Sequence, residues 1–395
     1  MENIADFCRK YLEKHIKTAQ NLYKFTNDRS LMAKKLLSLQ RGLTGSRTLI
    51  GSPYMQDDSL LAPYFLYYWP VSYTQMWCIL WSVKDRILSL IESCANEKAP
   101  LTLTDLGSGP APCAAAFCDM VDYLRGEKRV QIKVLLLDSS SKALTLAKKL
   151  FEVDFDSVSI KTQVCNMEKD FASGPILQEK NNVLLMSHAL NELFAENGDR
   201  EKICTHLLTN CTQMLTANGF FALSEPALLE TSRFLIQVRN RLLKEGTVAL
   251  LSPCPGNADC PVLLEKNHTC HGDFLWTPPK PVSSLAEEAG LDRHSVKMSY
   301  FVFALHDKAQ ADEDGTFMVT SDPMLNKAGR VRYLLCNGKK RIAFSAKKDD
   351  PHAREQGFFN LRRYDIIRIE NPEIRESGAL GFAKDTKLVY TNYNG

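Results

Sequence analysis

Two groups of residues in this chain have the types and spacing that chemistry requires. The first is Asp105-Leu-Gly107-Ser-Gly109-Pro-Ala111-Pro, a strand end running through a glycine-rich turn into a helix. Glycine takes positive φ readily and carries no Cβ, so a ligand can come close to the backbone there. Ala111 holds the third small position, where the helix packs on the strand. Further on, Asp138 ends a second strand, and a carboxylate at that place can accept both hydroxyls of a ribose. The turn therefore reads as a site for an adenosine-type cofactor, with a nicotinamide dinucleotide as the competitor.

The second group is Cys254, Cys260, Cys270 and the distant Cys336. Residues 252–281 are rich in Cys, Pro, His and Gly and show no period, so the segment is not expected to form a helix or strand of its own. Thiolates on a metal can replace the missing hydrophobic core of such a loop. There is no Cys-x-x-Cys pair, and the pattern leaves zinc and an iron–sulfur cluster both open. His268 and His271 are possible zinc ligands, with an outer or RNA-facing place as the alternative for lone histidines. Cys78, Cys204 and Cys211 fall on apolar helical faces and read as small core residues. With twelve cysteines and no secretory context read from the sequence, a disulfide framework is not expected.

The elements that must position these groups follow from periodicity. Ile4, Phe7, Leu12, Ile16, Ala19, Leu22 and Tyr23 recur at helical spacing, which predicts an N-terminal helical region over 1–96. That region includes a polar loop at 42–58 and a helix over 72–94, and the aromatic run 64–69 reads as packing. From residue 97 the texture alternates. Strands are predicted over 101–106, 131–137, 158–164, 182–186 and 219–223, and helices over 111–124, 141–151, 203–215 and 228–243. Residues 299–305 and 317–320 are expected to complete an α/β, doubly wound, mainly parallel sheet. This domain spans 97–325 with the cysteine-rich insertion at 251–282. Residues 326–395 read as a small basic β-module, with a hairpin of 330–336 and 341–345 around Asn337-Gly338. Later strands are expected in it at 365–369 and 387–390. The charged stretches 307–314 and 347–354 read as surface loops.

The order Asp-x-Gly-x-Gly, with the acid just before the first glycine, resembles the first motif of class I methyltransferases. Nicotinamide enzymes usually lead with glycine alone. Asn166-Met167 and Ser187-His188 then stand where such enzymes line the adenine and methionine ends of S-adenosylmethionine. The cofactor set implied by the resemblance is Asp105, Gly107, Gly109, Ala111, Asp138, Ser139, Asn166, Met167 and Ser187. Ala111 departs from the usual third glycine.

A longer resemblance runs in order through Tyr67-Tyr-Trp-Pro70, Leu190-Asn191-Glu192-Leu193, Ser224-Glu225-Pro226, the three loop cysteines, Gly329 to Gly338 and Arg362-Arg-Tyr-Asp365. Together these are similar to the methyltransferase-like proteins of small-ribosomal-subunit assembly, known in mitochondria (the Rsm-twenty-two type) with bacterial relatives. That resemblance implies a [4Fe–4S] cluster on Cys254, Cys260, Cys270 and Cys336, with zinc as the alternative. It also implies small-subunit ribosomal RNA as partner, and a protein that is monomeric away from the ribosome.

Chemistry is less legible. Amino-methylating enzymes commonly carry Asn/Asp-Pro-Pro-Tyr after the fourth strand, and this chain has Ser187-His188-Ala-Leu instead. Pro253-Cys254 superficially matches the thiol of cytosine-C5 enzymes, but that thiol belongs to the metal group. His188, Asn191 and Glu192 are the polar candidates for a reaction centre, with capping and packing as their structural alternative. An S-adenosylmethionine-dependent RNA methyltransferase and a non-catalytic RNA-binding assembly factor with a vestigial methyltransferase fold both follow.

Formal net charge is +3, but residues 326–395 hold 15 Lys+Arg against 8 Asp+Glu, so the rest of the chain sums to −4. Such an asymmetry suits an RNA backbone, with Lys339, Lys340 and Arg341 as candidate contacts. No apolar window is long enough for a membrane span. Glu2, Asp6 and Glu13 near the start argue against a targeting leader. The expectation is cytoplasmic, or the mitochondrial matrix if a presequence has been removed.

Overall fold

The alternation after residue 97 builds one sheet. In the computed structural model, which describes residues 3–23, 28–45, 48–49, 54–306 and 315–392, its strands are β1 (Leu101–Leu106), β2 (Ile132–Asp138), β3 (Val158–Val164) and β4 (Asn181–Ser187). They continue with β5 (Leu215–Pro226), β6 (Val248–Ser252), β7 (Gly272–Leu275) and β8 (Ser295–Leu305). The order is β3-β2-β1-β4-β5-β8-β6, with β7 also on β8. Neighbours from β3 to β5 are parallel, whereas β8 runs antiparallel to β5, β6 and β7. The first five strands follow the doubly wound order of nucleotide-binding sheets. The antiparallel β8, wedged between β5 and β6, separates this sheet from the common dinucleotide-binding order 3-2-1-4-5-6. Central β4 is buried on both faces, while β3 at the edge alternates and carries Ser159, Lys161 and Gln163.

An N-terminal set of helices covers one side: α1 (Ile4–Phe7), α2 (Arg9–Tyr23), α3 (Arg29–Gln40), α4 (Asp58–Pro63), α5 (Trp69–Trp81) and α6 (Lys84–Glu97). The single helix read over 72–94 is two, broken at Ser82-Val83. Helix α5 is buried from Trp69 to Leu80, as an all-round apolar helix must be. The remaining helices are α7 (Pro112–Leu124), α8 (Ser141–Asp154), α9 (Met167–Ser173), α10 (Arg200–Gln213), α11 (Leu229–Lys244), α12 (Lys280–Glu288) and α13 (Pro351–Glu355).

A buried histidine ties the helical cover to the α/β core. His15 Nδ1 lies 2.6 Å from Asp154 Oδ2 and Nε2 lies 2.7 Å from Asp119 Oδ2, which also accepts the Tyr73 hydroxyl at 2.6 Å. With a carboxylate at each ring nitrogen, both nitrogens donate and the ring is an imidazolium. Burial opposes that charge, but the hydrogen bonds to Asp119 and Asp154 outweigh it and raise the pKa above the ordinary value.

A second sheet follows, made of β9 (Thr316–Val319), β10 (Met324–Leu325), β11 (Arg330–Cys336), β12 (Arg341–Lys347), β13 (Ile366–Glu370), β14 (Glu373–Ile374), β15 (Leu380–Gly381) and β16 (Lys387–Asn392). Its order is β14-β15-β12-β11-β9-β13-β16, with β10 on β11. Val319, Tyr333, Leu335, Phe344, Phe358 and Ile367 form its own core. The hairpin around Asn337-Gly338 is present, and Cys336 pairs with Arg341 across it.

Three further expectations change. Residues 317–320 do not complete the first sheet, because β9 pairs with β11 and β13; the second sheet thus begins at Thr316, ahead of 326. The segment 252–281 does form a strand, β7, whose Phe274 is buried against β8. The stretch 347–354 ends β12 and enters α13 rather than forming a plain loop, and 307–314 lies outside the described residues. Among the described residues no helix is long and apolar enough to cross a membrane.

Candidate functional site

The glycine turn follows β1 directly. Gly107 and Gly109 have φ of +68° and +51°, in the left-handed region that glycine tolerates. A Cβ on Gly107 would meet the Ala189 Cβ at 2.6 Å, so this glycine lets the turn pack on the loop after β4. A Cβ on Gly109 would meet nothing within 4 Å, so that glycine faces open space. Ala111, at φ +59°, is the residue before α7 and is fully buried. Its small size serves packing.

The open space is a cleft of about 300 Å³ at the carboxyl ends of β1, β2 and β4. Asp105, Gly107, Gly109, Asp138, Ser139, Asn166, Met167 and Ser187 all line it, as do His188 and Glu192. Ala111 and Asn191 do not. Asn191 is buried; its N–H donates to Glu225 Oε1 at 3.2 Å and its Nδ2 donates to the His188 carbonyl at 3.0 Å. It shapes the loop from behind.

The carboxylates are already engaged with backbone. Asp138 Oδ2 accepts the Gly109 N–H at 2.7 Å and Oδ1 accepts the Ser140 N–H at 2.7 Å. Each oxygen keeps a lone pair for a further donor. Burial raises the Asp138 pKa, and the two N–H groups partly offset that rise. Asp105 Oδ2 accepts the Ala114 N–H at 3.2 Å, which caps the first turn of α7. Burial pushes Asp105 up to about 7.

His188 has a left-handed backbone, φ +56°, outside glycine's usual company. Its Nε2 sits 2.8 Å from Gln75 Oε1, while Gln75 Nε2 donates to the Lys297 carbonyl at 2.9 Å. That second bond sets the amide's orientation, so the imidazole must donate from Nε2, leaving Nδ1 as the unprotonated nitrogen. Burial holds the ring pKa down at about 4. The ring is neutral at physiological pH.

Sequence reasoning missed one wall. Tyr54, Met55, Gln56, Tyr64 and Ser72 of the N-terminal region line the same cleft. Of the aromatic run read as packing, Phe65, Tyr67 and Trp69 are indeed buried, but Tyr64 faces the cleft. No local signal separates Tyr64 from its neighbours, because the wall depends on how the helices dock.

The cysteine loop is held by α11. Arg239, only 2% exposed, donates from Nη2 to the Gly256 carbonyl at 3.0 Å and from Nη1 to the Ala258 carbonyl. Arg233 Nη1 reaches the carbonyls of Glu265 at 2.7 Å and His268 at 2.8 Å. Asn240 Oδ1 accepts the Cys260 N–H at 3.1 Å. The hairpin tip closes on the loop: a Cβ on Gly338 would stand 2.9 Å from the Gly256 nitrogen. Arg341 Nη1 lies 3.3 Å from Glu265 Oε1 and 3.0 Å from His268 Nδ1, so this arginine is spent on the loop rather than offered to solvent.

Cys254, Cys260 and Cys270 of the loop meet Cys336 of the second sheet within reach of one another's charge. Burial raises all four thiols, and for Cys254 the value is pushed up to about 12. Arg239 acts in the opposite direction on Cys254, Cys260 and Cys336. Yet among the described residues no group of three or more His, Cys, Asp or Glu could hold a metal ion. A tetrahedral zinc needs all its sulfurs about 2.3 Å from one point. The structure brings the four thiols near one another but does not bear out the expected metal centre.

Solved structures similar to this chain include methyltransferases. A candidate RNA methyltransferase of Pyrococcus horikoshii is 8% identical, with 55% of this chain and 82% of that one covered and a TM-score of 0.29. A methyltransferase of Pyrococcus furiosus is 11% identical, covering 52% and 75%, with a TM-score of 0.30. An S-adenosylhomocysteine-bound methyltransferase of Podospora anserina is 14% identical, covering 34% and 49%, with a TM-score of 0.21. Scores and identities of this size say nothing about ligand or activity. No curated protein matches the sequence. The family model described as mitochondrial small ribosomal subunit Rsm22 matches residues 67–348, from the aromatic run through the glycine turn and cysteine loop to the end of the hairpin, and the chain belongs to that family.

Proposed function

We propose that the chain binds S-adenosylmethionine in the cleft and acts as a methyltransferase-like protein on the RNA of the small ribosomal subunit. One observation carries this reading. The cleft combines a left-handed glycine turn with four carboxylates, Asp105, Asp138, Glu168 and Glu192, and among the described residues no Lys or Arg lines it. S-adenosylmethionine brings a sulfonium and an ammonium, which such a lining attracts. A dinucleotide brings a pyrophosphate, which it repels. The free lone pairs of Asp138 would take the ribose hydroxyls, and Gly109 would let the cofactor approach the backbone.

A second reading, an assembly factor that binds the cofactor without transferring its methyl group, is favoured by the state of the candidate catalytic side chains. Asn191 is turned into the loop, and His188 is a weak base whose Nε2 is committed to Gln75. Calorimetry with S-adenosylmethionine, paired with transfer of a labelled methyl group to assembling small subunits, separates the readings. Label in the RNA that disappears in the Gly109→Ala variant supports the enzyme. Binding without label supports the assembly factor, and absence of binding overturns both.

The four thiols are proposed as ligands of a [4Fe–4S] cluster, with zinc the alternative. Support comes from their convergence from two sheets, their burial and the guanidinium of Arg239 among them. Bound there, a cluster would supply a covalent fastening between the cysteine loop and the second sheet. Iron and zinc analysis of anaerobically purified protein, with its visible absorption, tests this: zinc without iron or colour sinks the cluster. RNA contact is proposed on the exposed Lys339, Lys340, Lys347 and Lys348 of the second sheet. The family's mitochondrial description favours the matrix over the cytoplasm that the first residues suggested.

A further inference from the structure

We propose that Tyr54 and Tyr64 make the cleft selective for the charged methyl donor over its uncharged thioether product, an inference that rests on reading the cleft as an S-adenosylmethionine site. Neither residue belongs to the glycine-loop fold itself; both are laid on it by the N-terminal region. Tyr54 heads a short 3-10 turn, Tyr54–Gln56. That turn is pinned to the core by Gln56 Nε2 donating to Ser140 Oγ at 3.2 Å and by Lys142 Nζ donating to the Gln56 carbonyl at 3.0 Å. Tyr64 opens the turn that leads into α5, where Trp69 Nε1 donates to the Pro110 carbonyl at 3.0 Å and so fastens the segment to the glycine turn.

The two rings stand 6.5 Å apart between centroids, tilted at 45°, and both line the cleft. They share it with the carboxylates. After burial, the charges of Asp138 and Glu192 are among the causes that raise both phenols, and Tyr64 also feels Cys113 at the start of α7. Rings and carboxylates therefore bound the same small space.

The donor and its product differ by one methyl group and one positive charge at sulfur, and the rest of the ligand is common to both. A preference between them must come from groups that sense that charge. An aromatic face does so through its quadrupole, and it does not titrate. Asp105, by contrast, is pushed up to about 7 by burial, so near neutral pH part of its charge is lost. The ring pair keeps its attraction for the sulfonium across that range and adds to that of Asp138 and Glu192. Weak retention of the thioether would then empty the cleft after each methyl loss.

The experiment is calorimetric titration of the full chain with S-adenosylmethionine and, separately, S-adenosylhomocysteine. The wild type binds the first more tightly. Tyr64→Leu lowers its affinity for the sulfonium by between about 2- and 30-fold while changing the thioether's by less than about 2-fold. Tyr64→Phe keeps the wild-type ratio, because the ring face is retained. Tyr54→Leu provides the same comparison if Tyr64→Leu does not fold. Equal weakening of both ligands, or no weakening of either, overturns the inference alone. A wild-type chain that binds neither ligand overturns the reading of the cleft instead.

Discussion

The glycine-turn cleft and the cysteine loop are built by opposite means. In the cleft, backbone geometry comes first: two left-handed glycines leave open space, and side chains such as Asp138 tie the turn without filling it. In the cysteine loop, side chains come first. The loop has almost no regular structure, and three residues of α11, Arg233, Arg239 and Asn240, hold its backbone from Gly256 to His268. A contiguous motif can pre-form a ligand site by itself. A group gathered from Cys254 and as far on as Cys336 needs a scaffold, and here three side chains of α11 supply it.

Breaking that scaffold has the largest expected effect. Arg239→Met removes the charged donor from the buried Gly256 carbonyl and from the part-buried Ala258 carbonyl, each bond to a charged group being worth about 1.5–3 kcal/mol, so a loss of roughly 4 kcal/mol is expected by chemical denaturation. Iron or zinc content should fall with it. The affinity of the cleft for S-adenosylmethionine, measured on whatever remains folded, should hold. If Arg239→Met keeps full stability and metal content, the loop is held by its thiols and not by the side chains of α11.

The cleft depends in turn on its N-terminal wall, and His15 is where that wall is bolted on. Removing one partner of a buried charged group is costly, so His15→Gln should lose about 3 kcal/mol. The pH dependence has a definite sign. The folded pKa of His15 is raised above 6.5, so its contribution is complete below that value and disappears as the pH climbs through the raised one. Asp154 is shifted down: burial opposes this, but its hydrogen bonds to His15 and Thr18 prevail, so its part is kept above 3.8 and lost in acid. The difference between wild type and His15→Gln should therefore be greatest between those limits and shrink in alkali. A difference that grows with pH instead would show a neutral ring.

The glycines sharpen the cleft itself. Gly107→Ala meets both a left-handed backbone and the Ala189 methyl group, and should cost roughly 2 kcal/mol of stability. Gly109→Ala meets only the backbone term, about 1 kcal/mol. Its effect should fall on binding, about tenfold or more in S-adenosylmethionine affinity, the ~1.4 kcal/mol of one blocked contact. Equal stability loss and equal binding loss in the two variants would erase the distinction between packing and ligand glycine.

What could be read from the residues divides along the same line. Strand β3 lies at 158–164 as periodicity predicts, and β1, the glycine turn and the hairpin follow, because each is specified by its own contiguous residues. Eight of the cofactor candidates reach one cleft because parallel strands end on one edge of the sheet. Ala111 and Asn191 did not, since a small residue or an amide that packs from behind has the same letter as one that faces a ligand. Strands β6 and β7 were hidden, being short and partnered by β8 from later in the chain. Tyr54, Tyr64 and Arg239 were hidden for a stronger reason: their roles exist only once separate segments dock.

The smallest expected effect on stability belongs to the lysines at the hairpin tip. Lys339, Lys340 and Arg341 looked alike as an RNA contact, but Arg341 is half-buried and paired with Glu265 and His268. Replacing all three would confound RNA binding with loss of the loop. The informative variant is Lys339→Ala with Lys340→Ala, both on exposed side chains, which should change stability by less than about 0.5 kcal/mol. If each lysine neutralises one phosphate, the slope of log affinity against log salt should become shallower by about 1.4 for single-stranded RNA. Arg341→Ala should do the reverse, weakening the fastening of the loop to the hairpin while leaving the salt slope nearly unchanged. A double lysine variant with an unaltered slope would move the RNA away from the hairpin tip and leave that tip with one task, closing Gly338 over Gly256.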